Sequence, residues 1–223
     1  MIELIIFLAA AASLVIIVAR RFPDLQNYIR SLSGGVDEEV KMHRFETSSQ
    51  KPGRLQKVTS GPTDDILRAV FDQVKILVAE RKFKEAESLL IEQIEHDPKN
   101  PKIYNELGVV YLEDENFSDA KEAFKTALKY DKHNDLFYNN LGLALFNQGR
   151  YIEAIEAYQR SIQLNGLVPH RYINLGLAYA ALRQYEKALD MYKKARVLDK
   201  DNEQYEQLIA EVSDKIAELR GME

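Results

Sequence analysis

The 223-residue chain contains no cysteine and no tryptophan. Without cysteine it can form no disulfide, thiolate zinc site, iron–sulfur cluster or thiol nucleophile. That absence leaves the compartment open, because a thiol-free chain tolerates either redox state. Excess basic charge is missing too. Thirty Lys and Arg against 35 Asp and Glu leave a formal net charge of -5, which argues against a nucleic-acid partner. Histidine is scarce: His43, His96, His133 and His170 are the only four, no two have i, i+4 spacing, and no His-Glu-x-x-His run occurs. There is no glycine-rich phosphate loop. Acidic runs such as Glu113-Asp114-Glu115 read as solvated turns. The sequence therefore points to no enzyme, and neither a cofactor nor a metal is expected. Prolines number six and glycines ten, so few residues interrupt helix-compatible stretches.

What is present begins with an apolar run. Residues 1–19 carry no charge from Leu4 to Ala19 and are followed by Arg20-Arg21. Nineteen helical residues span roughly 28 Å, close to the roughly 30 Å hydrocarbon core of a bilayer. A cleaved signal peptide would need a basic start and a small-x-small site after the run. Here the start is Met1-Ile2-Glu3, and the alanines at 9–12 lie inside the run. The expectation is an uncleaved single-pass anchor over 1–21. The arginines on its C-terminal side leave the bulk of the chain cytoplasmic.

Residues 22–35 form a candidate juxtamembrane amphipathic helix, with Leu25, Tyr28, Ile29 and Leu32 on one face. It reads equally as a surface-lying helix or as a stub of the anchor. Residues 36–62 read as a flexible linker. From Lys41 to Lys57 five bases face one acid, Glu46, a balance that suits a solvated tether and could also attract anionic lipid.

Beyond the linker the sequence repeats every 34 residues, in blocks 67–100, 101–134, 135–168 and 169–202. The fourth position holds Val70, Tyr104, Tyr138 and Tyr172, and the eighth holds Val74, Gly108, Gly142 and Gly176. The twentieth is always alanine (Ala86, Ala120, Ala154, Ala188), and the twenty-fourth holds Leu90, Phe124, Tyr158 and Tyr192. Each block carries two apolar stripes at helical spacing, separated by a short polar turn such as Asp114-Glu115-Asn116. Two antiparallel helices per block follow. Glycine at position eight and alanine at position twenty suggest that the two backbones approach closely there. In the first block, the bulkier Val74 suggests a different packing angle against Ala86. Residues 203–220 form one further amphipathic helix, with Tyr205, Leu208, Ile209, Val212, Ile216 and Leu219 on its apolar side. It reads as a cap on the last repeat, or as a helix docking another subunit.

This pattern resembles the tetratricopeptide repeat (TPR), a helix–turn–helix unit of 34 residues, across residues 67–202. The resemblance implies an all-α fold: a right-handed superhelical array of four helix pairs over 63–223, closed by the capping helix. It also implies a concave groove lined by the first helix of each pair and holding a protein partner. Carried over position by position, the groove residues are Phe71, Lys75, Val78, Asn105, Val109, Leu112, Asn139, Leu143, Phe146, Ile173 and Leu177. Positions five, nine and twelve share a face distinct from positions four, eight and eleven, so core and groove can use different stripes. Asn105 and Asn139 would be placed to hydrogen-bond a bound backbone. Some members grip a C-terminal carboxylate with Lys, Asn and Arg. Asn140 and Asn174 are present here, but block three has no cation on that face, so an extended apolar or helical peptide suits the groove better.

The functional expectation is a membrane-tethered adaptor that binds a partner peptide or helix. The alternative is a structural subunit of a membrane complex that docks by its convex face or its C-terminal helix.

Overall fold

The computed structural model describes residues 62–221. The expected anchor (1–21), juxtamembrane helix (22–35) and all of the linker except Pro62 lie outside the described residues. Among those described, no helix is long and apolar enough to cross a membrane.

The described residues form nine α-helices and no strand: α1 (Pro62–Ala79), α2 (Phe83–His96), α3 (Pro101–Glu113), α4 (Phe117–Tyr130), α5 (Asp135–Asn147), α6 (Tyr151–Leu164), α7 (Pro169–Ala181), α8 (Tyr185–Leu198) and α9 (Gln204–Arg220). The helices α3, α5 and α7 begin at the first residue of their 34-residue blocks. Pro62, the last residue of the expected linker, already belongs to α1.

Local chemistry fixes the boundaries. The last residue of a block caps the next helix: the Asn100 side chain accepts from the Lys102 backbone N–H, and Asn134 accepts from Leu136 and Phe137. Such a cap contributes about 1 kcal/mol. Val168 holds this place before α7 and cannot cap. Pro169 at the first helical position removes one of the orphan N–H groups instead. Each α–α turn inside a block is closed by one left-handed residue at position fifteen: Arg81 (φ 60°), Glu115 (φ 60°), Gly149 (φ 73°) and Arg183 (φ 57°). Only the third block places glycine there, the residue for which that conformation costs least.

The eighth-position glycines make room for a ring rather than for a backbone. A Cβ on Gly108 would lie 2.5 Å from the Phe124 ring, and one on Gly142 would lie 2.6 Å from Tyr158; Gly176 faces Tyr192 in the same way. Position eight thus exchanges volume with position twenty-four. Both ends of that exchange change together in the first block, where Val74 shares a buried cluster with Leu90, smaller than any of the rings.

No pair buries its apolar face alone. The first cluster joins Val74, Leu77, Ala86 and Leu90 of the first pair to Ile103, Leu107 and Val110 of α3. A second set joins Ala120 and Phe124 of α4 to Ala144 of α5. The last joins Leu145, Ala154, Ala157 and Tyr158 to Leu175 and Ala178 of α7. Stability in such an array comes from these junctions as much as from the pairs.

The junctions differ in chemistry. Between the second and third pairs, Ala127, Leu128 and Phe137 form an apolar cluster. Between the third and fourth, the equivalent positions hold Ser161 and Arg171. Arg171 pairs with Asp135 while only 6% exposed, and its Nη1 donates to the Asn165 carbonyl at 3.0 Å. Ser161 Oγ donates to the Asp135 carbonyl at 2.6 Å, and Asn165 Nδ2 to the Asp135 carboxylate at 3.1 Å.

The final helix, α9, packs on α8 through Tyr205, Val212 and Ile216, all buried, while Leu208 and Ile209 are half-buried and Leu219 is exposed. Tyr205 and Val212 fall at positions three and ten of a fifth block, where Ile103 and Val110 are buried in α3. The helix therefore occupies the place of the first helix of a fifth repeat.

Candidate peptide-binding groove

The first helices of successive pairs pack on one another, α1 on α3, α3 on α5 and α5 on α7. This contact is tied by side-chain amides. Asn140 Nδ2 donates to Asn105 Oδ1 at 2.9 Å, and Asn174 Nδ2 donates to Asn139 Oδ1 at 3.0 Å. Position six of one pair thus reaches back to position five of the preceding pair, and these helices form a continuous layer.

The expected groove residues divide by depth along that layer. Phe71, Val78, Val109, Leu112, Leu143 and Phe146 are half-buried, and Lys75 is exposed. Asn105, Asn139, Ile173 and Leu177 are buried. The expectation that Asn105 and Asn139 address a bound backbone meets a geometric fact: their carbonyl oxygens already serve Asn140 and Asn174. Position five is deeper than helix spacing alone suggests, because stacking brings neighbouring first helices together at that level. Ile173 is fully enclosed for the same reason.

In the first three pairs position nine lies further out. Most half-buried apolar residues of the stripe also support a core cluster. Phe71 and Val78 lean on the first cluster, Val109 and Leu112 on that of Phe124, and Phe146 on that of Tyr158. Phe146 also meets the Tyr151 ring edge-on at 5.2 Å. Leu143 belongs to none of these clusters. At the start of the same stripe on α5, Leu136 is 44% exposed, where the other pairs carry Arg68, Lys102 and His170. Burial pushes the His170 imidazole below its ordinary pKa, and the neighbouring Arg171 adds to that shift, so this position favours the neutral form. Only the third pair carries an apolar residue at this second position.

Sequence reasoning missed Glu106, at position six of the second pair. Burial pushes its carboxyl above the ordinary range, against the opposing pull of Lys75 and a hydrogen bond from Asn105. The signal that could have found it is register: its equivalents are Asn140 and Asn174, and a carboxylate there cannot donate as they do. Elsewhere, Tyr111 joins the first two pairs by donating to Glu87 Oε1 at 2.6 Å. Among the described residues no group of three His, Cys, Asp or Glu side chains is arranged to hold a metal ion.

Comparison with known proteins agrees with this architecture. Two tetratricopeptide-repeat family models match, over residues 107–169 and 171–202. A crystal structure of MamA is 26% identical with a TM-score of 0.60, covering 65% of this chain and 84% of that one. The PilF protein of Pseudomonas aeruginosa is 25% identical with a TM-score of 0.63, covering 70% and 71%. The first TPR domain of Spaghetti (RPAP3), solved with the HSP90 peptide SRMEEVD, shares the fold at 21% identity and a TM-score of 0.52, covering 54% and 96%. No curated protein matches the chain in sequence. On helix order, repeat length and these matches together, residues 107–169 and 171–202 are tetratricopeptide repeats within an all-helical solenoid.

Proposed function

We propose that the chain is a membrane-tethered adaptor whose first-helix layer captures a peptide or helix of a partner protein. Leu143 carries this reading. It is a half-exposed leucine outside every core cluster, flanked along one stripe by Leu136 and Phe146. Apolar surface that the core does not use, gathered in one place, is what a binding site needs. Tethering rests on the apolar run of residues 1–19 and its flanking arginines. A flexible linker over 36–62 would give a typical reach of about 26–31 Å, enough to raise the effective concentration of partners at the same membrane.

The test is a pull-down from membrane fractions with the full-length chain beside Leu143→Asp, each confirmed helical by circular dichroism. A partner held by wild type and reduced roughly tenfold by the variant is expected, since a central contact is commonly worth more than 1 kcal/mol. Equal capture by both forms would remove the groove from the account. It would favour docking by the outer helices or by α9.

A further inference from the structure

We infer that the bound segment carries a lysine or arginine among its apolar residues, and that this cation is received by Glu106 in the seam between α1 and α3. The inference rests on the groove reading above and adds the chemistry of its ligand.

Side-chain amides form a ladder between successive first helices. In the third and fourth pairs the residue at position six donates to the amide oxygen at position five of the preceding pair, through Asn140 to Asn105 and Asn174 to Asn139. In the second pair the same step would run from Glu106 to Phe71. Neither side can complete it: a phenyl ring offers no amide oxygen, and a carboxylate has no proton to give. The ladder therefore ends on a negative group in the seam where α1 packs on α3.

That group has one weak hydrogen bond and one nearby cation, which it shares with a second acid. The Asn105 Nδ2 lies 3.5 Å from Glu106 Oε1, at the outer limit of a hydrogen bond. Lys75 is the nearby cation, but its ammonium is bound to Asp72 at 3.0 Å. Glu106 is half-buried, and one turn on along α3 the half-buried Val109 gives the same stripe an apolar side chain. A desolvated carboxylate without a close donor is unfavourable, whereas one paired and hydrogen-bonded is not. A cationic side chain arriving with an apolar segment would supply the missing donor. A neutral or acidic side chain at that place would leave the carboxylate unpaired or repelled. The site therefore selects by charge as well as by apolar contact.

The experiment is a selection of displayed random twelve-residue peptides on the full-length chain in detergent micelles. Glu106→Gln, Glu106→Lys and Leu143→Asp are run in parallel, each checked for helical content. Wild type is expected to enrich apolar peptides with Lys or Arg at one fixed spacing. Synthetic copies should bind Glu106→Gln at least tenfold more weakly, and Glu106→Lys should shift enrichment toward Asp or Glu at the same place. That shift is a readout that a merely structural role would not produce. If wild type enriches apolar peptides with no fixed cation, or if Glu106→Gln binds the cationic ones as tightly, the inference is overturned while the groove stands. Should enrichment persist unchanged in Leu143→Asp, or should wild type enrich nothing, the groove reading fails and this inference with it.

Discussion

At the junction of the second and third repeats, position three is Phe137, seated against Ala127 and Leu128. One repeat later the equivalent residue is Arg171, almost as deeply enclosed but held by Asp135 and the Asn165 carbonyl, with Ser161 in place of Ala127. The backbone arrangement is the same and the chemistry is opposite. The apolar junction gains from desolvation and is indifferent to small rotations. The polar one gains little net free energy, because two charges must leave water to form it, but it demands one geometry. The Arg171 Nε remains buried without a partner, which marks how closely that geometry must be met. A 34-residue register thus dictates where a side chain goes, not how its burial is made tolerable.

The largest effects should come from breaking each junction by its own weakness. Phe137→Ala leaves a cavity and should cost about 3–5 kcal/mol in denaturant melts. Asp135→Ala should cost about 3 kcal/mol by stranding a buried guanidinium, near the lower end for such pairs because the Asp135 side chain keeps 29% of its exposure. Rebuilding the polar junction in the apolar pattern, with both ionic partners removed, as Asp135→Ala with Ser161→Ala and Arg171→Phe, should leave stability within about 1 kcal/mol of wild type. If the triple variant were as damaged as Asp135→Ala, the polar set would be irreplaceable and the comparison wrong.

A smaller effect separates the first junction from both. There Tyr111 donates to Glu87, and that hydrogen bond, ahead of the pull of Lys84, holds the Glu87 carboxyl below its ordinary range. A carboxyl with a lowered folded-state pKa contributes stability above the unfolded value, about 4.3, and loses it as pH falls through the folded value. Tyr111→Phe should therefore cost about 1 kcal/mol at pH 7, and the cost should shrink as pH falls through the folded value. A cost independent of pH would assign the loss to packing alone.

The repeat was legible from the sequence because it is written in volumes. Glycine at eight, alanine at twenty and rings at four and twenty-four recur without insertion, and each answers a packing need that the next block shares. Partnerships were less legible. The invariant Ala86, Ala120, Ala154 and Ala188 stand out in an alignment, while the ring that takes up the space at the glycine sits four residues further on. The polar set of Asp135, Ser161, Asn165 and Arg171 was invisible because its members lie 4 to 36 positions apart and only stacking gathers them. Of the candidate groove, the stripe of positions five, nine and twelve follows from helix spacing. Its depth does not: helix spacing cannot tell that Asn105, Asn139 and Ile173 are buried while Leu143 is only half-buried.

The most direct test of the account places a photo-crosslinking residue at Leu143 and, separately, at Ile152, which is 66% exposed on α6. The full-length chain would be irradiated in intact membranes and the attached peptide mapped by mass spectrometry. The account predicts one partner segment, apolar and bearing a lysine or arginine, attached at position 143 and absent from position 152. A partner attached only at position 152 would contradict the groove and move recognition to the outer face.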